Sequence, residues 1–247
     1  MLDEIGHAIQ PDLVLLFFCH CNDLANNNYR LDLPHGDLSV ALKPYFDMPE
    51  YEDTLTFIGA PPPSRSTDVR QTLREYSMLY NTIETGVILK LELGNPREQV
   101  NAIGGLSDDA IGKYDVQPRN EWLRGWRITD ALLARMKERS ESLGARLVVV
   151  SIPEWRALDR TYWDRDTQKR NVASGRVRSD APVRRLEAAT RSLGVAHIDL
   201  TDAMQARGDE AGLFSVFIPE DLHWTPDGHR VAADAIETAL RAQDIVP

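Results

Sequence analysis

The chain has 247 residues, 43% hydrophobic and 27% charged, with 28 Lys and Arg against 38 Asp and Glu for a formal charge of −10. This balance supports one domain with a substantial core and excludes wholesale disorder, collagen-like repeats and low complexity. The acidic excess repels a phosphate backbone, whose binding needs clustered Lys and Arg, so nucleic acid is not an expected partner.

The longest apolar run, Leu13 to Cys19, is strand length and far short of the roughly 18 residues of a spanning helix. No membrane span is expected. Met1-Leu2-Asp3-Glu4 has neither the basic nor the apolar region of an export signal, which makes a cytoplasmic location the default expectation. Asp12 to Cys19 is apolar without alternation, with Pro11 before it and Asn22-Asp23 after it, and reads as a strand buried on both faces. Cys19 and Cys21, placed on one strand, would have Cα atoms roughly 6.5 Å apart, near the limit for a disulfide, so they are expected as buried thiols.

Between Asn26 and Asn120 the pattern breaks. We read a helical insertion over about residues 30–125, containing Pro61-Pro62-Pro63, an amphipathic helix around Val69 to Ile83 and a polar loop from Gly94 to Asn120. A helix from Thr129 to Leu143 follows, closed by Gly144, and then a strand from Arg146 to Ile152. Ala181 to Leu193 repeats the rhythm, with Gly194 as its cap and a strand over Ala196 to Leu200. The rich Arg and Asp content of Arg156 to Arg178 suggests a solvated loop with short helical turns. Pro226 to Ala242 reads as the last helix, with Thr225 as N-cap and Pro226 at its first position. Helix, glycine, strand, twice over, is the signature of a parallel α/β sheet.

In open α/β sheets, sites form beyond the carboxyl ends of the strands. Two segments are expected there: Cys21-Asn22-Asp23, and Glu220 to His229. An Asp two residues before a His in a tight turn can hold one ring nitrogen and leave the other free as a base.

Here the sequence resembles the SGNH (GDSL-type) hydrolases. Pro11-Asp12-Leu13-Val14 running into Asn22-Asp23, and Asp221-x-His223-Trp224-Thr225-Pro226-x-Gly228-His229 leading into a terminal helix, carry the resemblance. Lys43-Pro44-Tyr45-Phe46 and Ser77-x-Leu79 look like the larger bacterial members. The Asp-x-His-Trp spacing is similar to the branch of alginate acetyltransferase-like proteins, and favours Asp221 over Glu220 as the acid. The resemblance implies a three-layer flavodoxin-like parallel sheet in a single domain, residues 1–247, and serine ester chemistry. Asn22 becomes the oxyanion donor, His223 the general base and Asp221 its orienting carboxylate. No cofactor or metal is implied, and the partner is a small-molecule or carbohydrate acyl ester.

The family's Gly-Asp-Ser nucleophile block precedes the Asn-Asp block, and it is absent from these residues. Gly36-Asp37-Leu38-Ser39 lies on the wrong side of Asn22, and Ser151 lacks any motif. The first strands are therefore expected to be missing, activity to be impaired, and the edge of the opening strand to be exposed to self-association. His20 and Cys21 replace small residues of the family and are expected to crowd the oxyanion pocket. The rival readings are a non-catalytic remnant or binding module, and a carbohydrate O-acyltransferase.

Among the blander readings, Asp23 is a structural hydrogen-bond partner and His229 a structural donor within the helix. Trp122, Trp126, Trp155, Trp163 and Trp224 divide between a carbohydrate platform and packing. A zinc site from Cys19, His20 and Cys21 is disfavoured by the single intervening residue.

Overall fold

The computed structural model describes residues 2–32, 44–48, 54–59, 110–218 and 223–246. The anticipated helix around Val69 to Ile83, the Ser77 motif and Gly36 to Ser39 lie outside them. Three parallel strands, β1 (Leu13–Cys19), β4 (Arg146–Ile152) and β5 (Ala196–Asp199), form one sheet in the order β1-β4-β5. Register runs Leu13↔Arg146 to Cys19↔Ile152, and Val148↔Ala196 to Ser151↔Asp199. A separate antiparallel pair joins β2 (Tyr45–Asp47) and β3 (Thr56–Gly59).

The pleat sends alternate residues to two cores, one on each face of the sheet. Val148, Val150, Ile198, Leu13 and Leu15 face the last helix, α9 (Pro226–Ala242), which buries Ala232, Ile236 and Leu240 at four-residue intervals. Leu147, Val149, Val14, Leu16 and Phe18 face α4 (Asn120–Ser142) and α7 (Ala181–Ser192). Helices on both faces give the expected three-layer arrangement. Val148, Val149 and Val150 are fully buried, each contributing about 1.5–3 kcal/mol of burial free energy.

The remaining helices are α1 (Leu2–Ile9), α2 (Asp23–Asn27), α3 (Tyr29–Asp32), α5 (Trp155–Leu158), α6 (Arg160–Lys169) and α8 (Thr201–Ala211). The segment expected as a loop from Arg156 onward is thus more ordered than its composition suggests, with Asp159 capping α6 by accepting from Tyr162 N–H at 2.8 Å. Gly144 and Gly194 hold φ of +76° and +66°, the left-handed conformation expected of helix-terminating glycines.

Two expectations about β1 need correction. The strand is only partly buried, with Phe17 43% exposed, because among the described residues it pairs on one side alone. The cysteines are a disulfide, Cys19–Cys21, rather than buried thiols. The strand ends at Cys19 and the chain turns at once, which shortens the Cα separation to 5.2 Å, within disulfide range. Neither sulfur is therefore a thiolate available to zinc. No helix among the described residues is long and apolar enough to cross a membrane.

Candidate active site

Asn22 stands in the turn beyond β1, exposed, at the N-cap position of α2. Its side chain makes no capping bond, so its amide is not committed to holding the helix. Asp23 does the structural work, accepting from the Cys19 N–H at 2.7 Å. The Cys21 sulfur lies 3.2 Å from Asn22 Oδ1. The His20 ring is 4% exposed and packs edge-on to Phe18.

His223 is exposed on the segment leading into α9. The carboxyl end of that helix sits at the amino end of β4, where Arg146 Nη1 donates to the Asp244 carbonyl at 3.1 Å. Its 17 residues span about 25 Å, so its amino end and His223 lie toward the carboxyl ends of the strands, the side on which Asn22 leaves β1. Asp221 and the competing Glu220 are outside the described residues.

Each residue after His223 has a visible task. Ile218 N–H donates to the His223 carbonyl at 2.8 Å, and Trp224 bridges Phe217. Thr225 N–H donates to the Val216 carbonyl at 3.0 Å, and its hydroxyl accepts from Gly228 N–H at 3.1 Å as the N-cap. Pro226 occupies the first turn, where its missing N–H costs nothing. A Cβ on Gly228 would lie 2.3 Å from the Val216 carbonyl oxygen, a backbone atom fixed by the same pairing. Gly228→Ala is therefore expected to cost about 1–3 kcal/mol in a urea titration and to displace the His223 segment. Unchanged stability would show that the helix start can shift freely. His229 lies in α9 with its ring edge-on to Trp224 at 5.3 Å.

Beneath the Asn22 turn is a buried charge cluster that the sequence did not announce. Lys113, on the 3-10 turn Ala110–Tyr114, donates to Glu154 Oε2 at 2.6 Å and to the Cys21 carbonyl at 3.0 Å. Tyr114 donates to the same carboxylate oxygen at 2.7 Å, and Arg156 pairs with Oε1. Burial pushes the Glu154 carboxyl up, but Lys113 and Arg156, with the two hydrogen bonds, bring it net below its ordinary value.

A second unannounced cluster occupies the α4/α7 face. Ser151 Oγ lies 3.1 Å from His20 Nε2 and 2.7 Å from His197 Nε2. Burial, with smaller contributions from Lys113 and His197, lowers His20 to about 3, and burial also lowers His197. Both rings are thus neutral. Ser151 is fully buried, out of reach of an ester. The tryptophans do not form a platform: Trp155 and Trp224 pack in one core, Trp126 and Trp122 in the other, and Trp163 meets Tyr114 edge-on at 4.8 Å.

The three-layer parallel α/β sheet has the architecture of the SGNH hydrolase-like class. Residues 117–246, slightly more than half of the chain, match the family described as the SGNH hydrolase-like domain of the acetyltransferase AlgX, and the chain belongs to that family. The matched run includes β4, β5 and the His223 segment and leaves out β1 with Asn22. A solved crystal structure is similar at 20% identity and a TM-score of 0.35, over 47% of this chain and 51% of that one. The chain therefore spans about half the length of that solved protein. No curated protein matches it.

Proposed function

We propose that this chain carries the base and oxyanion side of a serine-type acyl-transfer centre acting on ester-linked acyl groups. His223 is the general base, Asp221 its orienting carboxylate and Asn22 the side-chain oxyanion donor. The observation that carries the reading is the family match over the His223 segment, whose following residues lock that segment against Val216. In the reaction His223 accepts the proton of the attacking hydroxyl as it adds to the acyl carbon, the Asn22 amide donates to the oxygen that becomes negative in the tetrahedral intermediate, and His223 then returns the proton to the departing alkoxide as the ester C–O bond breaks. The acetyltransferase in the family's description favours transfer of the acyl group to an acceptor over hydrolysis by water.

These 247 residues hold no Gly-Asp-Ser block, which favours a second reading, a domain that binds the ester without cleaving it. Hydrolysis of p-nitrophenyl acetate separates the two. Under the catalytic reading, His223→Ala lowers turnover by about 10²–10⁴-fold and Asn22→Ala by about 10²–10³-fold. Turnover that His223→Ala leaves intact overturns the assignment. No turnover in the unaltered chain favours the binding domain, and adding a sugar acceptor separates transfer from hydrolysis.

A further inference from the structure

The Cys19–Cys21 bridge closes a loop over one intervening residue, so it restrains the unfolded chain far less than a long-range disulfide would. The backbone it spans is anchored by other means. Cys19 N–H donates to Asp23 Oδ2 at 2.7 Å, His20 N–H donates to the Ile152 carbonyl at 3.1 Å, and the Cys21 carbonyl accepts from Lys113 Nζ at 3.0 Å. Opening the bridge therefore leaves the turn in place and changes only what the sulfurs offer to their neighbours.

The two sulfurs differ in access and in surroundings. Cys21 is exposed and Cys19 half-buried. Cys21 N–H points at the Cys19 sulfur at 3.4 Å, a donor that stabilises negative charge on Cys19 and makes it the better leaving group. Cys21 Sγ in turn lies 3.2 Å from Asn22 Oδ1. A disulfide sulfur carries no proton and accepts hydrogen bonds weakly, so it makes no claim on the Asn22 amide. A Cys21 thiolate at the same place is a charged acceptor, and an Asn22 side chain turned about its last torsion presents Nδ2–H to it.

We propose that Cys21 is a thiol–disulfide exchange site, and that reduction of the bridge by a dithiol turns Cys21 into a competitor for the Asn22 amide. One thiolate of the dithiol attacks Cys21 Sγ, the Cys19–Cys21 bond breaks, and Cys19 leaves as a thiolate that takes up a proton. The second thiol of the dithiol, as its thiolate, attacks the reagent's sulfur in the mixed disulfide and expels Cys21. The electrons and protons gained by the protein are those lost by the dithiol, which ends as a disulfide. Lys113 at the Cys21 carbonyl favours the thiolate, Asp23 at the Cys19 amide opposes it, and Glu154 with its partner Arg156 lies behind Lys113. His20, between the two cysteines, is neutral. The consequence for catalysis rests on the reading of Asn22 as oxyanion donor, since the thiolate takes the amide which that reading needs.

Folded protein carrying ¹³C-labelled cysteine and asparagine provides the test, with dithiothreitol as the dithiol. Without denaturant, dithiothreitol is expected to move both cysteine Cβ resonances to thiol positions. In the reduced protein the Asn22 Cγ resonance, identified by its loss in Asn22→Asp, is expected to titrate with the Cys21 midpoint. In the oxidised protein it is expected to stay flat through the thiol range, centred at about pH 8.5. Asn22→Ala is expected to raise the Cys21 midpoint by about one pH unit, the worth of one hydrogen bond to a charged group, whereas a charge merely near Asn22 would leave it unmoved. A bridge that opens only in denaturant, or a midpoint that Asn22→Ala does not move, overturns the proposal. None of these readings needs turnover, so a chain that cleaves no ester tests the proposal equally. Where p-nitrophenyl acetate is cleaved, reduced protein freed of dithiothreitol is expected to turn over about tenfold more slowly than oxidised protein at about one pH unit above the midpoint, where about nine-tenths of Cys21 is thiolate. Equal turnover there, with the resonances moving as expected, rejects Asn22 as the oxyanion donor and leaves the exchange site standing.

Discussion

Lys113→Met is expected to destabilise the protein by about 3–5 kcal/mol, a large part of the total stability of an ordinary domain. Lys113 is 4% exposed and Glu154 5%, so removing the ammonium leaves a carboxylate in a dry site with Arg156 and Tyr114 as its remaining partners among the described residues. Breaking a buried pair is costly for that reason, although the intact pair need not be more stable than apolar residues of the same volume. The double variant Lys113→Met/Glu154→Gln is therefore expected to lose less than the sum of the two single variants, with a coupling of about 1–3 kcal/mol in urea denaturation. Strict additivity would mean that the two groups do not interact. Lys113 also holds the Cys21 carbonyl, so the same variant is expected to loosen the Asn22 turn. Glu154 adds a pH signature. Its folded value lies below the unfolded one, so its contribution is present above the unfolded value and is lost as pH falls through the folded value.

What could be read from sequence follows from how local each signal is. The strands β4 and β5, the helices α7 and α9 and the cap at Thr225 announce themselves through runs, spacing and glycines within a dozen residues. α4 starts at Asn120, nine residues before the expected Thr129, because Gly125 and the scattered Trp and Arg residues hide the periodicity. Yet Gly125 is there for packing, since a Cβ would come within 3.2 Å of the Leu24 carbonyl oxygen. The disulfide was hidden by one residue, the point at which β1 gives way to a turn.

The His20, Ser151 and His197 cluster depends on register. His20 follows Phe18 by two residues on the same face, and Phe18 stands opposite Ser151 only because β1 and β4 pair as they do. The only sequence signal was a polar residue at the end of each of two apolar strands. Lys113 and Glu154 are 41 residues apart and share no local pattern. The carboxyl edge was thus legible where one loop carries the pattern, as in the Thr225 cap that opens α9, and hidden where separate strands assemble it.

That assembly should dominate the acid side of the stability curve. His20 titrates at about 3 in the folded protein, chiefly through burial, against about 6.5 in an unfolded chain. Below pH 6.5 the unfolded chain takes up a proton that the folded one refuses, so stability falls with pH, by about 1.4 kcal/mol per unit once protonation of the unfolded ring is complete, until the folded value is reached. Between pH 6.5 and 4.5 the loss from this ring alone is about 2–3 kcal/mol. His197, lowered by burial as well, adds to the loss as pH falls below its unfolded value. His20→Phe, which keeps an aromatic ring against Phe18 but has nothing to protonate, is expected to be less stable at pH 7 because Ser151 loses a partner. Its stability should nonetheless fall less steeply between pH 6.5 and 4.5. Urea denaturation at half-unit intervals reads both quantities, and parallel curves for the two proteins would show that His20 takes up its proton as readily in the folded state as in the unfolded.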